Sequence, residues 1–142
     1  MTKVENSVPP INRWFLVCGA LLAGFSVVLG AFGAHGLKQV LSPNSLITFE
    51  IAVRYQMYHA LLLLFVGTTS LIPIKTKKIM YYLTVFGVLF FSGSIYGLAT
   101  ITLTGFDFKS IGFITPIGGL SLILAWGFMF IGFLNISPKK GN

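Results

Sequence analysis

The sequence has few charged residues and almost no acidic ones. Only 9% of its 142 residues are charged, with three acidic side chains against ten basic ones, whereas a soluble domain carries about a quarter charged residues. Glu5 lies in a polar tail and Asp107 in a connection, so Glu50 has no second carboxylate for paired acid and base catalysis. We therefore predict that the protein is not an enzyme.

Cysteine occurs once, at Cys18 inside an apolar segment, which excludes a disulfide framework. The sequence also lacks a cluster of residues at metal-ligand spacing. The glycines of "GAFGAHG" follow no strand pattern and precede no lysine and serine pair of a phosphate loop. We predict no catalytic residue, no metal and no cofactor.

Long apolar segments are what the sequence does have, at about residues 14–32, 46–71, 79–98 and 114–134. Each is close to the roughly 20 residues that a helix needs to cross the hydrocarbon of a bilayer. We predict an all-α fold, an integral membrane bundle of four transmembrane helices that forms a single domain over residues 1–142.

The first apolar segment has two interpretations. Ala31, Phe32 and Gly33 have the small-residue spacing of a signal-peptide cleavage site. The stretch of about 19 apolar residues is longer than the 7 to 15 typical of a signal core, however. We favour a retained span over a cleaved signal.

Basic residues lie mostly at the ends of the apolar segments, which favours membrane anchoring and argues against binding to nucleic acid. The more basic side of the predicted bundle holds Lys3, Arg13, Lys75, Lys77, Lys78, Lys139 and Lys140. The other side holds Lys38, Lys109 and at most Arg54. The positive-inside rule therefore places both termini in the cytoplasm, and we predict a multi-pass protein of the bacterial inner membrane.

Small residues recur at helical spacing in three of the segments. The three sets are Gly19, Ala23, Ser26, Gly30 and Gly33; Gly93 and Gly97; and Gly118, Ser121 and Ala125. Close packing of small residues promotes helix association in lipid. We predict tight packing inside one bundle, with a homodimer interface as the alternative.

The second segment holds most of the polar side chains within the spans. Glu50 and Arg54 are four apart, in the order that favours a helical ion pair. A charged residue at a helix centre costs about 2.5 to 3.5 kcal/mol on insertion scales. The candidate polar site comprises His35, Glu50, Arg54, Tyr55, Gln56, His59, Ser92, Ser94, Tyr96 and Thr115. We favour a structural role, in which these groups fix the register of the second helix, over a functional one.

Four stretches resemble, in order and spacing, the signature segments of a known family: "LGAFGAHGLK", "TFEIAVRYQMYHALLLL", "FSGSIYGLA" and "ITPIGGLSLILAWG". They are similar to an uncharacterised family, of the UPF or DUF type, of small bacterial inner-membrane proteins with small eukaryotic transmembrane relatives. The resemblance covers about Trp14 to Leu134 and implies a four-span membrane protein. It carries no catalytic residues to transfer, so motif residues such as Pro116 only mark where to look.

Three functions stay open. We favour a non-enzymatic membrane protein that supports membrane integrity or the assembly of a membrane complex, in contact with lipids and other membrane proteins. The first alternative is a small transporter, channel or proton-coupled carrier that uses Glu50, Arg54 and His59, although no inverted repeat is evident. The second is binding of a cofactor, such as haem, or of a lipid through His35 and His59.

Overall fold

The structure is a computed structural model that describes residues 9–105 and 112–136. Its α-helices are α1 (Pro10–His35), α2 (Pro43–Thr68), α3 (Ile74–Ala99), α4 (Ile101–Thr104) and α5 (Ile114–Leu134). A one-turn 3-10 helix, Leu37–Gln39, follows α1. Helices α1, α2, α3 and α5 are long and apolar enough to cross a membrane, which confirms the all-α fold with four candidate spans.

Several of the charged residues that bear on orientation and on acid-base chemistry lie outside the described ranges. They are Lys3, Glu5, Asp107, Lys109, Lys139 and Lys140.

Helix α2 begins and ends three residues earlier than the predicted segment 46–71. The Ser42 hydroxyl accepts a hydrogen bond from the Ser45 N–H at 3.2 Å, and Pro43 occupies the first turn. Both features favour a helix start. At the other end, Pro73 precedes α3, and the residue before a proline is disfavoured in helical conformation. The chain therefore turns between Thr68 and Ile74.

Helices α2 and α3 form the centre of the bundle, with α1 packed on α2 and α5 packed on α3. Phe15 at the start of α1 lies against Gly67 at the end of α2. Gly33 at the end of α1 lies against Phe49 near the start of α2. The two helices are therefore antiparallel and in contact along most of their length.

The predicted small-residue stripe of α1 is confirmed at Gly19, Ser26 and Gly33, which are buried, whereas Ala23 and Gly30 are half-buried. A Cβ atom on Gly19 would lie 3.0 Å from the carbonyl oxygen of Ala60 on α2. The stripe of α5 is also confirmed, since Gly118, Ser121 and Ala125 are buried there.

The predicted pair of Gly93 and Gly97 on α3 is wrong as a packing unit. Gly97 is buried, but Gly93 is exposed and a Cβ atom there would meet nothing within 4 Å. The close approach to α5 uses Gly87, where a Cβ atom would lie 2.5 Å from Cδ2 of Leu122. Six residues correspond to about 240° around a helix, so Gly87 and Gly93 occupy different faces.

Two apolar clusters fill opposite ends of the bundle. One consists of Phe15, Leu62, Leu63, Val66, Ile72 and Met80. The other consists of Leu37, Leu41, Phe49 and Ala99. Most of the polar side chains that link the spans lie between these two clusters.

Candidate functional site

Gln56 on α2 links three helices. Its Nε2 donates to the carbonyl oxygen of Leu22 on α1 at 2.9 Å, and its Oε1 accepts from the Tyr96 hydroxyl on α3 at 3.0 Å. One turn away, the Ser26 hydroxyl donates to the carbonyl oxygen of Val53 at 2.7 Å. These bonds fix the relative heights of α1, α2 and α3 at one level of the bundle.

His59 links α2 to α5 and is only 3% exposed. Its Nδ1 lies 2.7 Å from the carbonyl oxygen of Tyr55, which can only accept, so Nδ1 carries the proton. Its Nε2 accepts from the indole N–H of Trp126 at 3.2 Å. The ring is therefore a neutral imidazole whose two nitrogens are both occupied, and neither is free to bind a cofactor or to relay a proton.

A cavity of about 270 Å³ lies beside this histidine, between α2, α3 and α5. Tyr55, Phe91, Ile123 and Trp126 contribute to its walls. Because the nitrogens of His59 are occupied, the ring offers a ligand no free hydrogen-bonding group. The cavity therefore suits an apolar group.

A third polar link joins α3 to α5. The Ser94 hydroxyl lies 2.6 Å from the Thr115 hydroxyl and donates to carbonyl oxygens of its own helix. Ser92, two residues before Ser94, is fully buried. Within residues 9–105 and 112–136, the Ser92 and Thr84 hydroxyls are the buried side-chain groups without a hydrogen-bond partner.

The structure does not bring His35 to the other histidine. His35 is exposed at the end of α1, whereas His59 lies one turn from Gln56, which contacts Leu22. The 13 residues from Leu22 to His35 span about 20 Å of helix. The structure therefore does not support the hypothesis that both histidines bind one ligand.

Glu50 and Arg54 also lie away from the buried polar groups. Both are exposed on α2. In the part of the chain that the structure describes, they do not form the ion pair that their spacing suggests. The ten candidate residues thus divide into polar links between helices, exposed groups, and Ser92, whose buried hydroxyl has no hydrogen-bond partner.

The exposed groups of α2 form one stripe, which we call the outward face. It consists of Ile47, Glu50, Arg54, Tyr58, Leu61 and Phe65, all of them exposed. Their steps of three and four residues place them on one side of the helix. The outward face lies opposite the side on which α2 packs against α1 and α3, and it combines one acid and one base with aromatic and aliphatic side chains.

Two polar residues of the bundle were not foreseen from the sequence. One is Trp126, the partner of His59. The other is Lys77, which is only 2% exposed and donates to Oδ1 of Asn12 at 3.0 Å and to the carbonyl oxygen of Thr69. In the structure this lysine begins a stripe of buried residues on α3, which depends on how α3 is rotated against its neighbours. That stripe is Lys77, Met80, Thr84 and Val88.

Comparison with known proteins identifies the family. The family described as "Protein of unknown function (DUF423)" matches residues 29–119, more than half of the chain. The chain belongs to the DUF423 family. The match runs from the last part of α1 to the start of α5, so it includes Gln56 and His59 but not Trp126.

Relatives of this DUF423 protein are membrane proteins of bacteria. UPF0382 membrane protein SSP2132 of Staphylococcus saprophyticus is 43% identical over 122 residues, which are 86% of this chain and 98% of the relative. UPF0382 membrane protein YwdK of Bacillus subtilis is 37% identical over 114 residues, 79% of this chain and 89% of the relative. A UPF0382 membrane protein of Haemophilus influenzae is 36% identical over 113 residues, 79% and 86% of the two chains.

These matches confirm the resemblance that the four sequence motifs predicted. With four candidate spans, the chain is a multi-pass membrane protein. No solved structure matches it.

Proposed function

We propose that this DUF423 protein is a non-enzymatic protein of the bacterial inner membrane that supports the assembly of a larger membrane complex. The observation that carries the proposal is the exposure of Glu50 and Arg54 on the outward face of α2. Charged residues within membrane spans are costly and usually face the interior of a bundle. A partner that covers the outward face in the membrane would remove this cost.

The buried polar groups support assembly rather than transport. Gln56 and His59 form hydrogen bonds with groups on α1, α3, α5 and their own helix. A proton path or a substrate site needs groups that can exchange partners. Transport would instead predict flux in proteoliposomes that Glu50→Gln or His59→Ala abolishes.

We also propose that both termini lie in the cytoplasm and that α1 is retained as a span. The bond of Lys77 to Asn12 supports a shared side for the start of α1 and the connection between α2 and α3. Both regions are rich in basic residues, and such regions stay in the cytoplasm. Labelling of single cysteines introduced at Thr2 and Thr69 by an impermeant reagent tests this, since neither should react in intact cells.

The cavity beside His59 supports a second candidate function, binding of a lipid acyl chain between α2 and α5. Its volume of about 270 Å³ and its aromatic and aliphatic walls suit a segment of hydrocarbon chain. Gly119→Leu would fill part of this space. A lipid retained by the wild-type protein and lost from this variant would support the candidate, and equal lipid content would exclude it.

The size of the protein's assembly in mild detergent tests the main proposal. We expect the wild-type protein to run on native gels as a complex larger than one chain. Arg54→Gln should lower the amount of this complex, because Glu50 then lacks a basic partner on the outward face. Lys78→Gln provides the matched control, since Lys78 is an exposed base near the start of α3. A wild-type protein that runs as a single chain, or that turns over a substrate, would contradict the proposal.

A further inference from the structure

We propose that the partner on the outward face of α2 is a second copy of this chain, with Glu50 of each copy paired to Arg54 of the other. The two copies would be related by a two-fold axis along the membrane normal. This inference rests on the proposed function and names its partner. It is based on the level of Glu50 and Arg54 along the bundle, on the spacing between them, and on their opposite charges.

The depth of the two charges follows from their neighbours on α1. Gly33 packs against Phe49, the residue before Glu50, and at this level α1 exposes the apolar side chain of Phe32. Likewise, the Ser26 hydroxyl binds the carbonyl group of Val53, the residue before Arg54.

At the level of Ser26, α1 exposes the side chains of Phe25, Val27 and Val28. Large apolar side chains exposed on a membrane protein face lipid. Arg54 therefore lies level with an apolar, exposed stretch of α1, and Glu50 lies one turn closer to the end of α1 at His35.

The spacing of the two charges suits a symmetric pair of parallel α2 helices. Four residues place Glu50 and Arg54 about 40° apart around the helix and about 6 Å apart along it. A two-fold axis midway between them brings Glu50 of one copy to face Arg54 of the other, and the reverse. The long arginine side chain covers the axial offset, as in charge pairs across parallel coiled coils.

Leu61 lies on the line midway between the two charges, about 20° from each around the helix. It is 53% exposed. Ile47 and Phe65, also exposed, lie on either side of the charges along the helix, about 40° from this line on the side of Arg54. The proposed axis therefore passes through an apolar strip that lipid alone would otherwise cover.

The charges distinguish a second copy from an anionic lipid. An interface with two-fold symmetry must be complementary to itself, and a face with one acid and one base meets this condition. An anionic headgroup would pair with Arg54 but would meet the like charge of Glu50 one turn away. A second copy neutralises both groups at once.

Disulfide cross-linking in native membranes tests the position of the axis. A Cys18→Ser background removes the single native thiol. The serine hydroxyl can still form a hydrogen bond with the Tyr81 hydroxyl, which contacts the Cys18 thiol in the wild-type protein. In this background we compare Leu61→Cys with Leu120→Cys, since Leu120 on α5 is 57% exposed, close to the 53% of Leu61.

Disulfides need Cα atoms within about 7 Å. With a membrane-permeant oxidant, Leu61→Cys should give a covalent dimer at a level at least tenfold above Leu120→Cys. Equal cross-linking at the two positions, or none at Leu61→Cys, would overturn the proposed interface.

Complementation between charge variants tests the pairing itself. In the Leu61→Cys background, a Glu50→Arg chain carries two bases on the outward face and an Arg54→Glu chain carries two acids. Each variant alone should lose the covalent dimer at least tenfold through like-charge contacts. Coexpression of the two, with different tags, should restore a mixed dimer. Failure to restore it would overturn the charge pairing.

The results separate this inference from the proposed function. A native complex that contains a different protein, with no dimer at Leu61→Cys, would contradict the second copy but leave the role in assembly intact. A wild-type protein found as a single chain that retains an anionic lipid would contradict both. Single chains that neither dimerise nor bind a partner would also contradict both.

Discussion

The indole N–H of Trp126 on α5 donates a hydrogen bond to Nε2 of His59 on α2, across 3.2 Å. The same imidazole donates from Nδ1 to the carbonyl oxygen of Tyr55. This arrangement assigns the histidine to the neutral form protonated at Nδ1. It also makes His59 a link between helices rather than a free acid or base.

Trp126→Phe should destabilise the protein by about 1 to 2 kcal/mol, because it removes the donor and leaves Nε2 of His59 without its partner. Hydrogen bonds between membrane helices average about 0.6 kcal/mol and reach about 1.7, and the smaller ring also loses packing. Unfolding in mixed detergent micelles measures the change. Trp14→Phe is the control, since Trp14 is 56% exposed at the start of α1 and should change stability little. Equal effects of the two substitutions would contradict the link.

Gln56 and Tyr96 should show coupled stabilities in a double-mutant cycle. Gln56→Leu breaks the bonds to Leu22 and Tyr96 together, whereas Tyr96→Phe breaks only the second. We expect the double variant to lose less than the sum of the two single losses, by about 0.5 to 1.5 kcal/mol. Gln39→Leu, in the exposed connection after α1, is the control. Strict additivity would show that the two side chains do not interact.

Gly118→Ala should disrupt the packing of α5 on α3. A Cβ atom there would clash with the backbone nitrogen of Phe91, and backbone cannot rotate away as a side chain can. Overpacking costs about 1 to 3 kcal/mol, and we expect the upper end of this range. Gly127→Ala on the same helix meets nothing within 4 Å and should be neutral or slightly stabilising. A neutral Gly118→Ala would contradict the close approach of the two helices.

Lys77→Met should destabilise the protein by about 1 to 3 kcal/mol. The ammonium group joins Asn12 to the carbonyl oxygen of Thr69, the residue that caps the end of α2. A cation at this end also interacts favourably with the helix dipole. Lys78→Met, at an exposed neighbouring position, should have a much smaller effect. The difference in unfolding free energy between the two variants provides the measurement.

The sequence predicted the long helices well because hydropathy and length depend only on local composition. It also predicted the stripe of Gly19, Ser26 and Gly33, since small residues at helical spacing mark one face. It erred at Gly93 because the rotation of α3 depends on where α2 and α5 pack. The same rotation buries Lys77 and leaves Lys75 and Lys78 exposed.

The polar groups of α2 illustrate the same limit. Their spacing suggested a single cluster, but Gln56 faces Leu22 and Tyr96, whereas Glu50 and Arg54 point away from the bundle. The partners of Gln56 include a backbone carbonyl group, which no side-chain pattern reveals. The pairing of His59 with Trp126 depends on the placement of α5, which is distant in sequence.

Native mass spectrometry of protein released directly from membranes tests the central claim, that the outward face of α2 is an assembly surface. Wild-type protein should appear at the mass of two chains, and Arg54→Gln should appear mainly as one chain. The claim would be contradicted if wild-type protein appeared as a single chain without an associated partner, as Arg54→Gln does.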